Sequence, residues 1–189
     1  FTNTFFLINQ SDMRALFNIV PLIYLFFIPA ITMSLIAKEK NSGTMEVMST
    51  LPIKDIEFIM GKFLASVMLI VIGLCITFVH LFTLMNVGTN IDYGSIFAGY
   101  LGIIFLGSVY AFIGTFASSI TENQVISFII SVFIVLTFFL LDKVIYFMPS
   151  SIQGLVQFLS VDFHLSNMSR GVIDTRNIIY FLSLIVFFL

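Results

Sequence analysis

The chain has 189 residues, 59% of them hydrophobic and 10% charged, with 24 Phe and a mean hydropathy of +1.12. A soluble domain carries about 25% charged residues, so this composition excludes an ordinary soluble fold and points to a membrane protein. The net charge of −2 comes with no basic–aromatic patch of the kind nucleic-acid binding uses, and the single cysteine, Cys75, excludes a disulfide framework.

The first apolar run, "PLIYLFFIPAITMSLIA" at 21–37, extends backward to Ser11, a plausible N-cap before a half-apolar interfacial piece, Asp12 to Val20. Pro21 and Pro29 should bend this helix, which neighbouring helices accommodate in a membrane. Residues 63–85 carry no charge beyond the potential one on His80, and residues 94–118 and 125–141 carry none. Residues 178–189 begin a fifth apolar run. The expected fold class is therefore all-α, a polytopic helical bundle with five spans visible. Phe1 in place of Met, and an apolar run reaching Leu189, read as a single transmembrane domain, 1–189, excerpted from a longer chain.

Cation placement sets an expected orientation. The segment 38–62 holds Lys38, Lys40, Lys54 and Lys62, half of all Lys and Arg, whereas 86–93 holds none. This puts 38–62 in the cytoplasm and 86–93 outside. By alternation "SITENQ" at 119–124 is cytoplasmic, with Thr121 and Gln124 at capping-box spacing, and 142–177 is outside despite Lys143, Arg170 and Arg176. Within that outer segment "PSSIQGLVQFLS" and "DFHLSNMSRG" read as short helices starting at Pro149 and Asp162. Ile152, Leu155, Val156 and Leu159 share a face that can lie against membrane or bundle, and Asp174 caps the last span.

Catalytic signatures are missing. No G-x-x-x-x-G-K-[ST], H-E-x-x-H or G-x-S-x-G occurs, so the expected catalytic, metal and cofactor inventories are empty. His80 is the one ionisable residue well inside a span, and it reads as a transport group or as an interfacial histidine. Gly107, Ala111, Gly114 and Ser118 form a ridge of small residues, with Ala98 and Gly102 as a second pair. Such ridges allow close helix packing, within the chain or between copies. Asp142 and Lys143 mark a helix end at the interface.

The most structured polar feature is the 38–62 segment. Gly43 to Pro52, "GTMEVMSTLP", has room for about two helical turns, with Met45, Met48 and Leu51 on one side and Glu46, Ser49 and Thr50 mostly on the other. Methionines suit an adaptable contact surface. After Pro52, Ile53, Ile56, Met60 and Phe63 resume helical spacing, and Thr50 or Asp55 could cap the elbow. Periodicity leaves two readings open, a loop resting on membrane lipid and a knob gripped by a cytoplasmic partner.

Three stretches carry a family resemblance: "IPAITMSLIAKEKNSGTMEVMSTLPIKDIEFIMGKFLAS", "FASSITENQ" and "FHLSNMSRGVIDTRNIIYFLSL". Together they resemble the permease subunits of ABC-2 type transporters, in the bacterial branch that includes gliding-motility permeases. The resemblance implies six spans, the first lying before Phe1, in a bacterial cell (inner) membrane. It also implies an exporter built from two permease copies, as homo- or heterodimer, and driven by a separate ABC ATPase subunit. In such permeases a coupling helix in the loop after the second span docks on that ATPase. By position this maps onto Gly43, Thr44, Met45, Glu46 and Met48, with Pro52 beyond, and Glu46 is the acidic residue of "SGTMEVM". "HLSNMSRG" departs from the more acidic and aromatic pattern of relatives. A non-transporting membrane scaffold or anchor of a cell-surface or motility complex, and a secondary transporter driven by an ion gradient, are the competing readings.

Overall fold

The computed structural model describes residues 13–189 apart from 49, 51, 89 and 90, and leaves the side chains of Tyr146 and Ser151 aside. Ser11 and Asp12, the expected start of the first helix, and Ser49 and Leu51 of the polar loop lie outside the described residues. Helix α1 runs Arg14–Thr32 and contains both Pro21 and Pro29, each buried. Each proline removes one backbone donor, which a helix packed among others in a membrane tolerates. The helix does not continue to residue 37 as its apolar run suggests. It stops at Thr32, whose hydroxyl donates back to the Ile28 carbonyl at 2.9 Å, and a turn at 33–36 leads into the short α2, Ala37–Asn41.

Helix α3, Thr44–Met48, follows at once. Beyond the Pro52 bend, α4 (Asp55–Ile76) and α5 (Phe78–Val87) make one long apolar segment interrupted at Thr77. Helix α6, Tyr93–Ser119, begins on Asp92, whose carboxylate accepts from the Gly94 and Ser95 N–H groups at 3.0 and 3.3 Å. Helix α7, Gln124–Val144, begins on Asn123, which accepts from the Val125 N–H at 2.9 Å. Thr121 therefore does not cap it; its hydroxyl instead donates to the Asn123 carbonyl at 2.9 Å.

A 3-10 turn at Ile145–Phe147 leads to α8, Ser150–Leu159, and α9, Val161–Ser169. The cap of α9 is Ser160, accepting from the Phe163 N–H at 3.3 Å, with Asp162 in the first turn instead of at the start. Helix α10, Thr175–Phe188, starts from Asp174, which accepts from the Arg176 N–H at 2.9 Å. Among the described residues there is no strand. Also among the described residues, four helical segments (Arg14–Asn41, Asp55–Val87, Tyr93–Ser119 and Gln124–Val144) are long and apolar enough to cross a membrane, and α10 is a shorter apolar helix. The molecule is an all-α membrane bundle.

Helix α6 is the axis of that bundle, touching α1, α4, α7, α9 and α10. In lipid, helices gain little from hiding apolar surface from one another, so association depends on close packing and interhelical hydrogen bonds. The ridge of small residues on α6 supplies the closeness. A Cβ added at Gly114 would lie 1.9 Å from Thr32 Oγ1, and one at Gly107 would lie 3.1 Å from Ile70 Cγ2 and 3.2 Å from Tyr24 Cε2. Ala111 and Ser118 on the same ridge are fully buried. Gly102, from the second pair, packs against Leu165 and Met168 of α9. Aromatic contacts fill the remaining space, with Phe63 of α4 tilted on Phe112 at 3.7 Å between centroids and Phe105 stacked on Phe181 of α10 at 5.9 Å.

Candidate docking site

The chain reverses between spans at two ends. One end carries residues 33–48, 50, 52–54 and 120–123; the opposite end carries 88, 91–92 and 142–174. The first is built by local hydrogen bonding. Helix α2 closes with the Ser42 N–H on the Lys38 carbonyl at 3.0 Å and the Gly43 N–H on the Lys40 carbonyl at 3.2 Å. Gly43 then adopts φ +71°, a left-handed conformation that glycine enters without steric cost and that ends helices. Its own carbonyl accepts from the Glu46 N–H at 3.3 Å, which starts α3 in a new direction. The Ser42 and Thr44 hydroxyls both donate to the Glu39 carbonyl at 3.2 Å, so the corner is held from both sides.

Helix α3 is shorter than the two turns the segment has room for, because the Thr50 hydroxyl and N–H both turn back onto the Val47 carbonyl, at 2.7 and 3.2 Å. That leaves Thr50 unavailable as a cap for α4, and Asp55 is in the first turn of α4 and not before it. The cap position is Lys54, in extended conformation, with the Glu57 carboxylate accepting from the Lys54 N–H at 3.4 Å. Asp55 and Glu57 thus sit where a helix N-terminus favours negative charge, which accounts for part of the local charge density.

Helix α3 has no buried residue. Met45 is half-buried, Glu46 and Pro52 are exposed, Val47 is 66% exposed and Met48 38%. Val47 is the most exposed large apolar residue of α3, although it belongs neither to the Met45–Met48–Leu51 side nor to the polar side expected from helical spacing. Ile53 and Ile56 are also exposed, extending the apolar surface past the Pro52 bend.

By contrast α2, on which α3 stands, is strapped to the bundle. Lys62 of α4 pairs with Glu39 and also lies over the Phe58 ring, 5.2 Å from its centroid. Lys40 donates to the Ser119 carbonyl at the C-terminal end of α6, where a helix favours positive charge. The Ser118 hydroxyl accepts from the Ile36 and Ala37 N–H groups at 3.0 and 2.9 Å and donates to the Met33 carbonyl at 3.1 Å. Its sequence signal is only that of a small residue at helical spacing; the hydroxyl's partners are more than eighty positions away.

At the opposite end Lys143 donates to Asp142 at 2.9 Å and to Asp162 at 3.0 Å, joining α7 to α9 at a cavity of about 210 Å³ also lined by Asn18, Ser166 and Ser169. On α8 only Val156 of the four apolar positions turns inward, while Ile152, Leu155 and Leu159 face out. His80 is on the outward surface of α5. Among the described residues no three His, Cys, Asp or Glu side chains gather closely enough to hold a metal ion.

A bundle of long apolar helices with one short exposed helix at a charged end defines a polytopic membrane protein. A family model described as "ABC-2 family transporter protein" matches residues 3–186. The chain belongs to the ABC-2 transporter family and is a membrane permease of an ABC transporter. Neither the curated proteins nor the solved structures include a significant match to it.

Proposed function

We propose that α3 is the coupling helix on which a separate ATP-hydrolysing subunit docks, and that the chain serves as one of two permease copies of a bacterial inner-membrane exporter. In this reading residues 38–62 are cytoplasmic, and 86–93 and 142–177 lie outside. The observation that carries it is the contrast within one loop: α3 buries none of its residues and offers Val47 and Met48 outward, while the adjoining α2 is bonded into the bundle. A loop resting on lipid has no need of such a strap; a lever does. The Lys-rich character of this end supports its cytoplasmic placement.

ATP binding draws the two ATPase subunits together, and the docked α3 helices move with them. Docking strength alone transmits nothing; the contacts must differ between the ATP-bound and free states. Gly43 sets the angle between α2 and α3, Thr44 fixes the corner, Met45, Val47 and Met48 supply adaptable apolar contact, Glu46 supplies the charge, and Pro52 separates this unit from α4.

The test is co-purification of the full-length permease with its ATPase, with Val47→Asp, Met48→Asp and Glu46→Lys compared with wild type. Each variant should insert normally yet capture the ATPase at least about tenfold more weakly, equivalent to about 1.4 kcal/mol. Undiminished capture and ATPase stimulation in all three would remove α3 from the docking surface.

A further inference from the structure

We propose that Ser118 is the joint through which movement of the α2–α3 loop enters the central helix α6, making it a positioning residue for transport; this rests on the docking reading of α3. Where α1 stops and α2 restarts, the break strands backbone groups, because helix ends leave N–H and C=O groups without intrahelical partners. The Met33 carbonyl lies on one side of the turn and the Ile36 and Ala37 N–H groups on the other. A hydroxyl has two lone pairs and one proton, and Ser118 commits all three: both N–H groups donate to it, at 3.0 and 2.9 Å, and it donates to Met33 at 3.1 Å.

Ser118 has no exposed surface, and Ile36 and Ala37 are buried with it, so solvent does not stand in for a lost bond. The loop therefore cannot shift against α6 without stranding buried polar groups, which is costly. The least costly response to a push on α3 is for α2 and the last turn of α6 to move as one piece. The neighbouring Lys40–Ser119 contact fastens the same turn a second time. Gly114, one turn away, seats Thr32 at the end of α1 in the space a Cβ would need, so α1 joins the same unit. From there α6 reaches α4, α7, α9 and α10, and hence the far end of the bundle.

The experiment uses the full-length permease bound to its ATPase in nanodiscs, with Cys75, which is exposed, replaced by Ala and spin labels at two pairs of exposed sites. Asn41 with Ile120, both exposed and neither assigned to docking, reports α2 against the end of α6; Tyr93 with Phe147 reports the far end. With Ser118 in place, trapping with ATP and orthovanadate should shift the Tyr93–Phe147 distance and leave Asn41–Ile120 unchanged, because α2 and the last turn of α6 move as one piece. In Ser118→Ala the Asn41–Ile120 distance should shift on trapping, and the Tyr93–Phe147 shift should be lost, with ATPase binding unchanged. A purely structural role would leave both readings as they are with Ser118 in place. Lys40→Met, which removes the second fastening, should reduce the Tyr93–Phe147 shift. A full Tyr93–Phe147 shift in Ser118→Ala overturns the proposal. If Ser118→Ala yields no folded complex, a full shift in Lys40→Met does so. If neither distance responds to trapping in either protein, the docking reading of α3 fails first, and the joint fails with it.

Discussion

The α4–α5 segment and helix α6 are both long, strongly apolar spans, yet they occupy opposite places in the bundle. Of the most apolar stretch of Asp55–Val87, 17% is buried, against 78% for Tyr93–Ser119. In α4 the buried residues are Phe63, Ser66, Ile70 and Leu74, one stripe at helical spacing flanked by the half-buried Met60 and Val67, while Leu64, Met68, Leu69, Ile72 and Ile76 face out. In α6 burial runs round the whole helix, and Gly, Ala and Ser are spread along its length. Hydropathy reports that a segment crosses the membrane; small residues report that it crosses in the middle, where several backbones must approach at once.

The sharpest way to break this comparison is to enlarge one glycine in each helix. At Gly114 an added Cβ would fall 1.9 Å from Thr32 Oγ1, whereas at Gly73 of α4 it would meet nothing within 4 Å. Gly114→Leu should abolish recovery of monodisperse protein, and Gly114→Ala should cost about 1–3 kcal/mol or more by overpacking. Gly73→Ala should be neutral or stabilising, by ~1 kcal/mol at most. Thermal unfolding in detergent separates them. Equal Tm values would mean that α6 is no more tightly packed than α4.

Gly99→Ala should have the next largest effect. Its Cβ would lie 2.1 Å from Cε2 of Phe17, which is itself buried against α6. Here the obstacle is a side chain that can be exchanged. Gly99→Ala alone should lower stability by about 1–3 kcal/mol, and adding Phe17→Leu should recover part of the loss, a non-additivity expected only for residues in contact. Strict additivity would show that the ring moves aside freely, and that this part of α6 is looser than its burial suggests.

The sequence carries these contrasts unevenly. Uncharged runs locate the four long apolar segments because charge in lipid is expensive whatever the neighbours, and the all-α class follows from them. Spacing shows that Gly107, Ala111, Gly114 and Ser118 share a face, but which helix meets that face is a tertiary fact; it is α1 and α4 that do so. The break at 33–36 has no local signal at all. Ala37, Lys38, Glu39 and Lys40 are good helix formers, and α1 could run on through them; the turn is bonded instead by Ser118, far away in the chain. In the α2–α3 loop the opposite holds. Gly43, Thr44, Thr50 and Glu57 act on near neighbours, so the corner and both helix ends follow from local chemistry, while the length of α3 depends on which way one Thr50 hydroxyl turns.

The smallest effect should come from the polar tie between the two helices compared. Thr77, where α4 gives way to α5, donates to the Leu74 carbonyl at 2.6 Å, so its remaining bond with the Tyr100 hydroxyl, at 2.8 Å, must have the tyrosine as donor. The Tyr100 ring is held independently, edge-on to Phe17 at 5.5 Å and to Phe78 at 5.3 Å between centroids. Tyr100→Phe therefore removes the hydrogen bond and little else. Interhelical hydrogen bonds in membranes average about 0.6 kcal/mol, so Tyr100→Phe should lower the Tm only slightly. Thr77→Val on a Tyr100→Phe background should then cost less than Thr77→Val alone. A coupling above about 2 kcal/mol would exceed the range for such bonds. The outer helix would then be fixed as specifically as the central one, and its low burial would no longer mark it as the looser member of the pair.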